Sequence, residues 1–227
     1  MYLAEKMKKK KSFLLRNFNE SLKYLGQSKK FIYFSAILFA VFILVGALVP
    51  IPSALEKKVL DYIEELLLKT KGMSYFELMR FIFLNNAQVS FFGIFLGVFF
   101  GIFSLIALIF NGYILGFLAS KFAETGNLLV LWRLLPHGIF ELPAVFISIG
   151  LGLKLGIPFV YRYFEYYLDK KNPLALILGI FFLFPAVILT MIFNKELGKK
   201  QFFDFRFKMF NSLKVFVFIV IPLLIIA

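Results

Sequence analysis

From Phe31 to Val49 the chain carries no charged residue. At ~1.5 Å per helical residue, this run is long enough to cross most of a hydrocarbon core ~30 Å thick. Comparable apolar stretches follow at Gln88–Phe110, Leu128–Gly152, Leu174–Phe193 and, shorter, Leu213–Ala227. Hydrophobic residues make up 61% of the 227, with 33 phenylalanines, more than a soluble core of this size can hide. In lipid the backbone must satisfy its own hydrogen bonds, so such spans are helical. The expected fold is all-α and polytopic. It is a single membrane domain over 1–227 with about five transmembrane helices and amphipathic helices at the interface.

The formal charge of +13 sits mostly in tracts beside the spans. That placement suits anionic membrane lipids as partners and gives no case for nucleic acid. Residues 1–30 hold Lys6, Lys8–Lys11, Arg16, Lys23, Lys29 and Lys30 against Glu5 and Glu20, which places the amino terminus in the cytoplasm of a cell-membrane protein. Leu14, Leu15, Phe18, Leu22 and Leu25 recur at helical spacing and predict an amphipathic helix on the inner membrane face. A second basic interfacial segment is expected over 194–212, and alternation leaves the connection at 154–172 outside. Residues 53–84 balance their charges and open two capping boxes, Ser53/Glu56 and Ser74/Glu77, so they read as two short external helices able to dock protein partners. With no cysteine, thiolate chemistry is excluded.

Gly93, Gly97 and Gly101 fall four residues apart within the second span and predict a helix-packing groove. Asn85 and Asn86 lie at one expected end of that span and Asn111-Gly112 at the other, where an Asn caps free backbone groups or meets lipid headgroups or the charged span. Residues 113–127 continue it beyond a kink or form a partly inserted segment.

The third span is the polar one. Arg133, His137 and Glu141 recur every four residues, along one stripe of a continuous helix. A buried carboxylate there must pair with His137 or Arg133, face a polar cavity, or bind something. Pro136 and Pro143 each remove a helical N–H, which suggests a broken or re-entrant segment facing the protein interior. A divalent metal needs more ligands than one His and one Glu, so such a site requires His137 and Glu141 from two chains of a dimer. No resident cofactor is otherwise indicated. No Ser–His–acid set and no His-Glu-x-x-His motif is present, so no enzymatic activity is expected.

Three segments together, "FLNNAQVSFFGIFLGVFFGI" (Phe83–Ile102), "FNGYILG" (Phe110–Gly116) and above all "LLPHGIFELPAVFISIGLGLKLG" (Leu134–Gly156), resemble the stage II sporulation protein M family. The resemblance implicates Asn85, Asn86, Asn111, Gly112, His137, Glu141 and Pro143. It implies a polytopic membrane protein, the namesake being a scaffold that recruits cell-wall-degrading partners during engulfment. The family extends to prokaryotes, archaea included, that form no spores. The expected function is therefore a non-enzymatic scaffold or assembly factor acting as a homodimer. The alternative is a transporter or channel for an ion or lipid, with His137 and Glu141 in its path.

Overall fold

The computed structural model describes residues 2–49, 53–98, 101–126, 135–169, 171–174, 177 and 195–227, and every element among them is helical. The helices are α1 (Tyr2–Gly26), α2 (Lys29–Leu48), α3 (Ser53–Thr70), α4 (Tyr75–Phe95), α5 (Ile102–Glu124), α6 (Leu135–Asp169), α7 (Lys195–Val215) and α8 (Ile221–Ile226). A π turn, Phe216–Val220, makes α7 and α8 one continuous rod. It ends two residues before Pro222, whose missing N–H and bulky ring oppose the regular hydrogen bond to Phe218.

Among the described residues five segments are long and apolar enough to cross a membrane: Lys29–Leu48, Tyr75–Phe95, Ile102–Glu124, Gly138–Pro158 and Phe203–Ile226. The number agrees with the sequence reading, but the membership differs. The stretch Gln88–Phe110 is not one span. α4 ends at Phe95, a 3-10 turn covers Leu96–Val98, and Gly101 (φ +74°) starts α5 from a left-handed conformation. Hydropathy cannot show this turn, because only glycines mark it and no polar residue interrupts the run. Asn111-Gly112 is accordingly mid-helix in α5, and residues 113–124 continue that helix. Ser74/Glu77 opens a helix that runs unbroken to Phe95, with no separate short helix over 74–84. The span expected at Leu174–Phe193 lies outside the described residues apart from two positions. The last span begins earlier than expected, inside the basic 194–212 segment, so that segment and the final crossing are one helix.

Directions follow from the contacts. α2 and α6 are antiparallel: Ser28 meets Lys154, Ile32 meets Gly150, and the rings of Phe39 and Phe146 are 5.2 Å apart. α5 runs parallel to α2, with Gly112 against Phe39 and Gly116 against Ile43. α4 runs parallel to α6, with Gly93 against Ile149 and Gly97 against Gly152. One end of the bundle therefore carries the α1–α2 junction, the α4–α5 turn and Lys154. The other carries α3, the start of α4 and Ala227. Residues 155–169 continue α6 at the α1 end, which corrects their expected place opposite the amino-terminal tract.

α6 is the central helix. Ala144, Ile147, Leu151 and Leu155 pack with Ile94, Val215, Val220 and Leu224, while Ile149 and Leu153 pack with Phe39 and Leu108. Lipid is as apolar as leucine, so close backbone approach through small residues brings the helices together. A Cβ on Gly46 would meet the Tyr113 carbonyl, and one on Gly116 the Ile43 carbonyl. Ser104 of α5 donates to the Gly93 carbonyl of α4 at 2.7 Å, fully buried.

α1 packs lengthwise and antiparallel on α7, with Tyr24 at Lys208 and Glu20 ion-paired to Lys214. Among its described side chains Asn17, Ser21 and Tyr24 are buried. Phe13, Leu14, Leu15, Phe18 and Leu22 face outward, while Leu25 joins the core. A helix that turns its leucines out and its small polar residues in is built for a lipid surrounding.

Candidate functional site

The capping box at Ser74 sets the start of α4: the Ser74 amide donates to Glu77 Oε2 at 2.8 Å, and the Glu77 amide donates back to Ser74 Oγ. From there Tyr75, Met79, Phe83 and Asn86 follow at helical spacing along one face of α4. That face, Glu141 of α6 and Leu224 of α8 enclose a cleft of about 490 Å³ at the α3 end. Arg80 also borders it. The cleft is mainly apolar, with half-buried Glu141 and Asn86 as its inner polar groups. Such a space suits an apolar or amphipathic group that presents one polar contact.

Two of the candidate polar residues are thus brought together, Asn86 and Glu141. Asn85 lies a residue away on the exposed side of α4. Asn111 sits on α5, where Nδ2 donates to the Ala107 carbonyl at 2.7 Å, a local bond outside the cleft. Arg133 lies outside the described residues. Pro136 and His137 belong to the first turn of α6, their side chains outside the described set. A proline in a first turn leaves no helical bond unmade, so Pro136 starts α6. Pro143 lies inside α6 without ending it and is exposed on the outside of the bundle. The helix is therefore continuous from Leu135 to Asp169, which corrects the expected break and inward facing at Pro143. Among the described residues no three metal-ligating side chains converge.

Gly93, Gly97 and Gly101 do serve close packing, but not as one helical groove. They lie on α4, in the 3-10 turn and at the αL start of α5, each facing α6. Below the cleft, the contact of Gly97 with Gly152 closes the bundle.

The sequence reading missed Lys154. It stands in "LGLKLG" and reads there as the start of a polar connection. In the structure its ammonium is half-buried, donates to Ser28 Oγ at 2.9 Å and lies 3.7 Å from the centre of the Tyr24 ring. Burial pushes the Tyr24 phenol up to about 12, the neighbouring Ser212 hydroxyl opposing and Asp204 adding to the shift. Also unanticipated was the α2–α5 seam, although its signal, Gly112-x-x-x-Gly116, is in the sequence.

Residues 35–227 match the family model described as Stage II sporulation protein M. An uncharacterized protein of Methanocaldococcus jannaschii is 41% identical over 93 residues, 40% of this chain and 50% of that protein. The match thus spans about half the length of that relative. No solved structure matches.

Proposed function

We propose a scaffolding role for this chain, which belongs to the stage II sporulation protein M family over residues 35–227. It is a multi-pass membrane protein, and that family is not a known enzyme family. In the proposed orientation the lysine-rich α1 end is cytoplasmic and the α3 end lies outside the cell membrane. The observation that carries the reading is α3 itself. Among its described side chains none is buried, yet the helix is positioned: Glu56 pairs with Lys121 at 2.8 Å, and the Tyr62 ring sits edge-on to Phe110 at 6.1 Å. A helix held in place without feeding the core serves through its surface. Leu67 and Leu68 are 64% and 62% exposed, and Tyr75 and Phe76 at the start of α4 are 76% and 74% exposed. These residues form the docking face for a protein partner, and a dimer presents two such faces.

The test is substitution of Leu67, Leu68, Tyr75 and Phe76 by Ser, singly and together. Partner co-purification should fall while the bundle keeps its unfolding temperature. Undiminished recovery from the quadruple variant removes this face from the account.

Transport is the second reading, favoured by the cleft that brings Glu141 and Asn86 together. Vesicle flux through wild type and Glu141→Gln decides it: flux that Glu141→Gln abolishes establishes transport, and equal background flux rejects it.

A further inference from the structure

A charged group that neither reading uses is Lys154, at the opposite end of the bundle from the docking face. Its ammonium has three N–H donors. One goes to Ser28 Oγ, and the Tyr24 ring lies beside the ammonium. Ser28 Oγ itself donates to the Tyr24 carbonyl at 2.7 Å, so it offers Lys154 only a neutral acceptor. Among the described residues no carboxylate lies within ion-pairing distance of Lys154. Asp204, which acts on it through space, is bridged to Lys208 at 2.8 Å. A cation half-withdrawn from water with only a hydroxyl and a ring face is electrostatically incomplete, and an anion that supplies oxygen acceptors completes it.

The surroundings select the anion. Lys23, Lys29 and Lys30 are exposed around the same α1–α2 junction, and they place the niche at the basic boundary of the first span. On the adjoining turns of α1, Phe18 and Leu22 point outward. One ligand meets both demands, a phosphate carried on acyl or alkyl chains. We infer that Lys154, with Ser28 and the neighbouring lysines, binds the phosphate of an anionic membrane lipid and so pins the α1–α2 junction to α6. This inference needs the membrane setting but not the scaffold reading.

The test is thermal unfolding of the full chain in detergent, titrated with short-chain phosphatidylglycerol, with phosphatidylcholine of the same chain length, or with sodium phosphate. Wild type should be stabilised by phosphatidylglycerol alone. Lys154→Gln should need about tenfold more for the same effect, as loss of a charge-assisted hydrogen bond requires. Lys154→Arg should respond like wild type, as should Lys58→Gln, exposed on α3. An unchanged response in Lys154→Gln overturns the site, and equal stabilisation by phosphatidylcholine overturns its charge selectivity. Full stabilisation by phosphate alone replaces the lipid by a soluble anion. If Lys154→Gln does not fold, native mass spectrometry of wild type decides. A bound anionic lipid displaced by phosphatidylglycerol but not by phosphatidylcholine supports the inference, and absence of any such lipid ends it.

Discussion

Two glycines of α6 should respond to the same substitution with opposite sign. At Gly150 a Cβ would stand 2.8 Å from the Ile32 amide nitrogen, 2.9 Å from its Cα and 2.9 Å from its Cγ1. Two of these are backbone atoms of α2, which cannot rotate away. Restoring ordinary contact at ~3.5 Å requires α2 and α6 to separate locally by about 0.6–0.7 Å. Overpacking of this kind costs about 1–3 kcal/mol, and rigid backbone on both sides argues for the upper half. Replacing glycine in a helix returns up to about 1 kcal/mol, so Gly150→Ala should destabilise by about 1–2 kcal/mol net. At Gly138 the nearest atom to a new Cβ is Leu142 Cδ1 at 3.7 Å, ordinary contact with a flexible side chain. Gly138→Ala should therefore gain about 0.5–1 kcal/mol from helix propensity alone. Thermal unfolding of the two variants beside wild type, in one detergent, reads the difference. Gly150→Ala should melt below wild type and Gly138→Ala at or above it. If both shift alike, α2 and α6 do not approach as closely at Ile32 as the account requires.

Two further outcomes follow from the packing. Ser104→Ala removes the buried bond to the Gly93 carbonyl and should lower stability by about 1–2 kcal/mol, measurable in the same melts; no change would mean that this carbonyl finds another donor. Glu20 is held below the usual carboxylate range, first by its bond to Lys214, against a weaker opposing effect of burial and with added attraction from Lys214 and Arg16. A depressed folded-state pKa stabilises above the unfolded value of ~4.3 and loses that contribution as pH falls through the folded value. Melting temperature against pH should therefore show Glu20→Gln below wild type near neutrality and converging with it in acid, whereas a constant gap would assign no role to the titration.

Much of this architecture could be read from the residues. Apolar run length located α2, and the Ser74/Glu77 box marked the first turn of α4. Both are local signals whose physics is complete within a few residues. The α4–α5 turn was illegible because hydropathy gives no mark where a chain reverses beside lipid on glycines alone. Pro136 misled because removing an N–H breaks a helix only where a bond existed, and it stands in the first turn of α6. Pro143 misled differently: it does remove a bond inside α6, yet the helix continues past it. The site was half legible. Spacing in the chain pointed to Glu141 and the expected end of a span to Asn86, but only helix packing shows that α4 and α6 bring them to one cleft and leave Asn111 elsewhere. Lys154 could not be singled out, since its character comes from Ser28 and Tyr24, more than a hundred residues earlier.

In the proposed scaffold, α3 and the first turn of α4 hold a protein partner. A photoreactive residue placed at Leu67, Leu68 or Phe76 in living cells, with Ile37 on the outward face of α2 as comparison, tests it most directly. One discrete protein adduct is expected from the three α3-end positions, absent at Ile37 and lost when the other exposed apolar residues of that face are changed to Ser. Adducts at Ile37 with none at Leu67, Leu68 or Phe76, in a chain normally assembled in the membrane, would contradict it.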